Sequence, residues 1–136
     1  MSVKDLKNLP KIELHLHLDC CLSFDVVKKI NPKIDIEAYN KKFKAPSTCS
    51  SVKEYIKCAE YAVDLMQDEK SISLVVEDLF DQLKAENIIY VEIRFAPLLH
   101  CRGELSSKEV VQIVDDICKK CSKKYGIYYA LILCTL

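Results

Sequence analysis

The sequence predicts a parallel α/β fold, and three observations carry that prediction. Residues 12–19 and 88–95 alternate apolar and polar with the period of two that marks a β-strand. Between them, and again over 106–124, apolar residues recur at three- and four-residue spacing, the helical period. Residues 127–136 are apolar on both faces, as in a parallel strand buried on both sides. Strand, helices, strand, helix, strand is the order of a parallel sheet joined by helical crossovers.

The first strand has an unusual polar face. Ile12, Leu14, Leu16 and Leu18 alternate with Glu13, His15, His17 and Asp19. A solvated face usually carries Lys, Thr or Ser, whereas this one carries two imidazoles bracketed by two carboxylates. Alternation places His15 and His17 on one side, roughly 7 Å apart at the Cα atoms. From there both rings reach a single ion at about 2.0–2.1 Å. Taken alone, the pair is equally compatible with an amphipathic strand whose histidines face water.

Ser23 caps a short helix through residue 30, stopped by Asn31-Pro32. Asp35 caps another to residue 43, and Ala45-Pro-Ser-Thr48 is a loop. Ser51-Val-Lys-Glu54 is a capping box, and Val52, Tyr55, Ile56, Ala59, Val63 and Met66 form the apolar face of the helix it opens. Residues 71–86 follow as a helix with Val75, Val76, Leu79, Phe80 and Leu83 inward, and Asn87 breaks it.

In the second strand Tyr90, Glu92 and Arg94 share one face and Val91, Ile93 and Phe95 the other. If the apolar face packs on helices, Glu92 and Arg94 point into the interior, where charge persists only when paired. Arg94 is therefore expected to meet a carboxylate, Glu13 or Glu92. A solvated antiparallel strand would tolerate the same residues. His100 is a lone histidine with no spaced partner and is expected at the surface. Ser106-Ser-Lys-Glu109 opens a helix to residue 124 with the stripe Val110, Val114, Ile117, Cys118 and Cys121, and Gly126 stands at its C′ position.

Lys and Arg total 20, as do Asp and Glu, so the formal net charge is zero and nothing builds the positive field that nucleic acid requires. The first residues lack the apolar core of a signal peptide, and residues 128–136 are too short to span a bilayer. A soluble cytoplasmic protein with no membrane partner is expected. The eight cysteines are scattered without an export signal, so free, mostly buried thiols are expected. Cys118-Lys-Lys-Cys121 falls late in a helix and has no second pair to complete a structural zinc site.

The string Leu9-Pro-Lys-Ile-Glu-Leu-His-Leu-His-Leu-Asp19 resembles the first-strand signature of the adenosine deaminase family, within the metal-dependent amidohydrolases. Tyr90-Val-Glu-Ile-Arg-Phe-Ala-Pro97 resembles the second strand of that family. The resemblance implies a (β/α)8 barrel in which His15 and His17 are ligands of a catalytic Zn2+ and Asp19 reaches the sugar of a nucleoside. It also implies a helical insertion after the first strand, with Val52, Tyr55 and Ile56 walling a purine pocket. Glu13, Glu92 and Arg94 become charges of the barrel interior. The implied reaction is hydrolytic removal of the 6-amino group of adenosine or deoxyadenosine, giving inosine and ammonia, in purine salvage. The implied partner is thus a small purine nucleoside.

A (β/α)8 barrel typically needs about 250 residues, so these 136 are expected to be a partial barrel domain ending inside or just after the third strand. The remaining metal ligands of the family, its catalytic glutamate and its water-orienting histidine belong to later strands. No catalytic residue is expected within the chain, which alone is expected to be inactive and to self-associate through open strand edges. The alternative is a non-catalytic remnant or interaction module of the same family. Cys20 stands where the family has glycine, which puts substrate fit in question more than metal binding. The other zinc deaminase architecture, with H-x-E and P-C-x-x-C, is excluded: no histidine begins His-x-Glu, and Ile117 precedes Cys118.

Overall fold

A computed structural model describes residues 3–49 and 51–135, with side chains from residue 6 onward. Helix α1 (Val3–Asn8) leads into strand β1 (Lys11–His17), which runs directly into a 3-10 turn, Leu18–Cys20. Helices α2 (Phe24–Ile30), α3 (Ile36–Lys42), α4 (Val52–Leu65) and α5 (Glu69–Ala85) make the long connection to β2 (Ile88–Phe95). A second 3-10 turn, Pro97–His100, precedes α6 (Ser107–Tyr125) and β3 (Tyr128–Leu133). The strands form one parallel sheet in the order β1-β2-β3.

The helices begin where side chains satisfy their free N–H groups. Ser23 accepts from Val26 N, Asp35 from Ala38 N, and Ser51 from Glu54 N. Ser106 and Glu109 form the full reciprocal capping box. α5 starts two residues before its apolar period suggests, because Asp68 accepts both the backbone N–H and the hydroxyl of Ser71. α6 ends at Gly126, whose φ of 69° is the left-handed conformation that glycine adopts without penalty.

Helices α5 and α6 cover one face of the sheet. Val91, Ile93 and Phe95 project from β2 into a core shared with Phe80, Val114 and Cys118, all essentially without solvent contact. Burying such side chains contributes about 1.5–3 kcal/mol each, so the alternation of β2 fixes which face is covered.

Two expectations about the strands are corrected. β3 is not buried on both sides: Tyr128 is 76% exposed and Leu133 51%. A strand is buried on both faces only when a layer packs on each, and α5 and α6 cover one face of this sheet. The final residue of that predicted strand, Leu136, lies outside the described residues. β1 does not alternate throughout. Glu13 pairs with Val91 and Leu16 with Ile93, so β1 carries one extra residue, a β-bulge. His15 sits within it at φ 58°, uncommon for a residue with a side chain.

All eight cysteines are free. Cys118 and Cys121 are buried, Cys20 and Cys49 exposed, and the other four half-buried, so the expectation of mostly buried thiols holds only for the helical pair. Among the described residues no helix is long and apolar enough to cross a membrane.

Candidate metal centre

The bulge in β1 and the 3-10 turn after it bring the chemistry-bearing residues together. The rings of His15 and His17 lie with their centroids 5.4 Å apart, tilted by 46°. Beyond His17 the chain leaves strand geometry: Leu18 is fully buried and anchors the turn, and Cys21 Sγ donates to His17 O at 3.0 Å. Asp19 is thereby buried, 7% exposed, with Oδ1 3.8 Å from His17 Nδ1. Cys20 Sγ lies 3.8 Å from the same Asp19 oxygen.

Arg94 completes the cluster. Its Nη1 lies 3.1 Å from His17 Nδ1. A guanidinium only donates, so Nδ1 is the acceptor here and the neutral ring carries its proton on Nε2. Burial and the Arg94 charge hold the His17 pKa below the usual histidine range, partly opposed by Asp19. Partial desolvation of the sulfur, followed by the Asp19 carboxylate, pushes the Cys20 thiol up to about 11.

These residues form the floor of a cavity of about 790 Å³, a size that suits a small organic molecule. His17, Asp19, Cys20 and Arg94 supply the polar end, while Tyr55, Ile56 and Ala59 of α4 supply the apolar wall. Tyr55 and Ile56 are 58% and 51% exposed because they face this open space and not the core. Val52, grouped with them from the sequence, is 74% exposed at the start of α4 and outside the lining.

The interior charges differ from expectation. Among the described residues Arg94 forms no ion pair; its partner is an imidazole and not Glu13 or Glu92. Glu92 accepts instead from the Tyr90 hydroxyl at 3.4 Å. Glu13 is exposed and in register with Val91, and the extra residue of the bulge separates it from the histidines. His100 is not at the surface. It is 1% exposed, its Nδ1 lies 3.0 Å from Met66 O, and its Nε2 is buried without a hydrogen-bond partner. Its burial comes from contacts distant in sequence, Met66 among them, which spacing does not reveal.

Imidazole nitrogen, carboxylate oxygen and thiol sulfur are the donor types that zinc takes. The ligand atoms of His17, Asp19 and Cys20 all lie within 4.8 Å of one another, with the His15 ring beside them. The donor set fits the ion on one condition. A metal on either nitrogen of His17 is incompatible with the Arg94 hydrogen bond, because metallation at Nε2 would require a proton on Nδ1. Arg94 must therefore swing away when a cation binds.

Residues 10–136 match the family model for adenosine deaminase. The adenosine deaminase of Clostridium acetobutylicum is 35% identical over 144 residues, covering 100% of this chain and 43% of that relative. An amidohydrolase from Burkholderia ambifaria with bound Zn superposes at a TM-score of 0.78 with 15% identity, over 98% of this chain and 38% of that one. The N6-methyl-AMP deaminase of Arabidopsis thaliana superposes at 0.72 with 20% identity, over 97% and 42%. The chain thus spans about two fifths of the length of the proteins it matches, and its three parallel strands with their helices are the opening portion of the (β/α)8 barrel of the amidohydrolases. The bulged His-x-His strand, the helical wall after it and the charged second strand have their place in that barrel: the chain belongs to the adenosine deaminase family.

Proposed function

We propose that this chain carries the metal-binding and purine-binding opening part of a hydrolytic adenosine deaminase, acting on adenosine or deoxyadenosine in cytoplasmic purine salvage. The observation that supports this most is the placement of two adjacent imidazoles beside a cavity with a polar floor and an apolar wall. His15 and His17 would hold Zn2+, with further ligands from outside these residues. Bound zinc lowers the pKa of a water toward about 7 and so supplies hydroxide at neutral pH.

The residues of the chain do the rest of the binding. Asp19, buried at the cavity floor, accepts hydrogen bonds from sugar hydroxyls. Tyr55 and Ile56 cover the purine face and exclude water from it. Arg94 releases His17 when the ion binds. None of these groups is placed to move the protons of the reaction. The Cys20 thiol stays protonated up to about 11, and His100 is buried outside the cavity lining. Each missing proton-handling group commonly contributes about 10²–10⁴-fold, so the 136-residue chain alone is inactive in this reading.

Equilibrium dialysis of the zinc-loaded chain against adenosine, adenine and adenosine monophosphate tests the proposal. Adenosine should bind tightest, and Asp19→Ala should weaken adenosine while leaving adenine unchanged. Absence of saturable purine binding would contradict the proposal and favour the second reading, a non-catalytic interaction module. One observation favours that alternative: Ile12 and Leu14 on β1 are 59% and 54% exposed, as a contact surface would be.

A further inference from the structure

We infer that Asp64 sets the substrate class of this cavity: by holding Arg102 it denies a 5′-phosphate its cation, so the site takes nucleosides and turns nucleoside monophosphates away. The inference rests on the deaminase reading and adds to it the residue that tells the two ligands apart.

The face that α4 turns to the cavity changes character along the helix. Ile56, Glu60 and Asp64 all line the cavity at four-residue spacing, which stacks side chains on one stripe. The stripe begins apolar and ends acidic. Asp64 lies about 12 Å further along the helix than Ile56, at 1.5 Å per residue. With the purine against Tyr55 and Ile56, the acidic end meets the far side of the ligand, beyond the sugar. The buried His100 ring feels both the Asp19 carboxylate and the Arg102 guanidinium. The sugar end of the cavity and the Arg102 side chain are therefore neighbours.

Arg102 is built into its place. Its backbone N–H donates to Gln67 Oε1 at 2.9 Å, while Gln67 Nε2 donates to Val63 O at 2.6 Å and to Leu99 O at 3.0 Å. Gln67 follows the C-terminus of α4, so the loop after β2 is stitched to the helix close to Asp64. From there Arg102 Nη1 donates to Asp64 Oδ1 in an ion pair within the cavity lining. Both side chains are more than half exposed, so the pair contributes little to stability. Its consequence is for ligands.

A guanidinium is the side chain that recognises phosphate through two parallel hydrogen bonds. Here Asp64 already meets that charge, and Glu60, one turn back, adds a second carboxylate. A phosphate arriving at this end would have to displace Asp64 from Arg102 and then lie beside two carboxylates. A sugar hydroxyl is neutral and carries a donor, so it meets no such repulsion. Discrimination here comes from a repulsive element set against the wrong ligand.

The test is equilibrium dialysis of the whole zinc-loaded chain against adenosine and adenosine 5′-monophosphate, read as the ratio of their dissociation constants. Wild type should favour adenosine. Asp64→Asn keeps the side-chain shape and removes the charge, and should move the ratio toward the monophosphate by about tenfold or more. That shift should shrink as salt rises. Adding Arg102→Gln should take back most of it, because the freed guanidinium is what the phosphate finds. Glu60→Gln leaves the ion pair whole and should give a smaller shift in the same direction; circular dichroism reports whether each variant is folded. Saturable adenosine binding with an unmoved ratio in the folded variants, or a shift undiminished by Arg102→Gln, overturns the inference and leaves the deaminase reading standing. A wild type that prefers the monophosphate overturns the inference too. Saturable binding of neither ligand removes the deaminase reading itself, and the inference with it.

Discussion

Arg94 and a metal ion compete for the same imidazole, so removing the arginine should tighten the metal. Arg94→Met keeps the length of the side chain and deletes both its charge and its hydrogen bond to His17 Nδ1. Two effects add. Repulsion between a guanidinium and a divalent ion about 5 Å away is about 1.7 kcal/mol at the dielectric of water, the fitting value for a half-exposed site. Breaking the Arg94–His17 hydrogen bond costs about 0.5–1.5 kcal/mol that the variant no longer loses. Together they amount to about 2–3 kcal/mol, or about thirty- to one-hundred-and-fifty-fold in zinc affinity. Competition against a chelating dye gives the constants, and the difference should shrink as salt rises because part of it is Coulombic. Equal or weaker zinc binding by Arg94→Met would show that the guanidinium does not occupy the position of the ion.

Three further outcomes are expected. His100 is held below the usual histidine pKa by burial, so its folded pKa lies under the unfolded value of about 6.5. Its contribution is complete above that value and is lost as pH falls through the window below it, because the unfolded chain then binds the extra proton. Chemical denaturation between pH 7.5 and 5 should show that loss, and His100→Asn, which keeps a donor toward Met66 O, should flatten it. Gly103→Ala would place a Cβ 2.9 Å from Gln67 O. Overpacking against backbone should cost about 1–3 kcal/mol, read as a lower thermal midpoint. Finally, β1 and β3 leave both sheet edges open, with Ile12 and Tyr128 exposed, so size-exclusion chromatography should show oligomers, and a sharp monomer peak would contradict this.

The fold was legible wherever local chemistry and burial agree. β2 reads directly from Val91, Ile93 and Phe95 against Tyr90, Glu92 and Arg94, because one face is covered and the other is not. Ser23, Asp35, Ser51 and Ser106 mark helix starts in sequence because capping is a local interaction. Gly126 marks a stop for the same reason. The bulge at His15 left no mark: the alternation from Ile12 to Asp19 is unbroken on paper, and no glycine announces the left-handed backbone. The proximity of Cys20 to His17 was hidden as well, since it depends on the turn that buries Leu18. Whether a lone histidine such as His100 is buried, or whether Arg94 meets an imidazole or a carboxylate, depends on side chains distant in sequence. Composition and spacing are silent there.

The chain contains only three histidines, His15, His17 and His100, which makes the imidazole nitrogen-15 NMR spectrum a direct test of the deaminase reading. Two are the proposed zinc ligands, and the third is buried away from the cavity lining with its Nδ1 on Met66 O. Zinc titrated into the whole labelled chain should move the ring signals of His15 and His17 together, to saturation at one ion, and leave those of His100 in place. Movement of His17 without His15, of His100, or of none of the three would contradict the proposal that the first strand holds the metal of a deaminase.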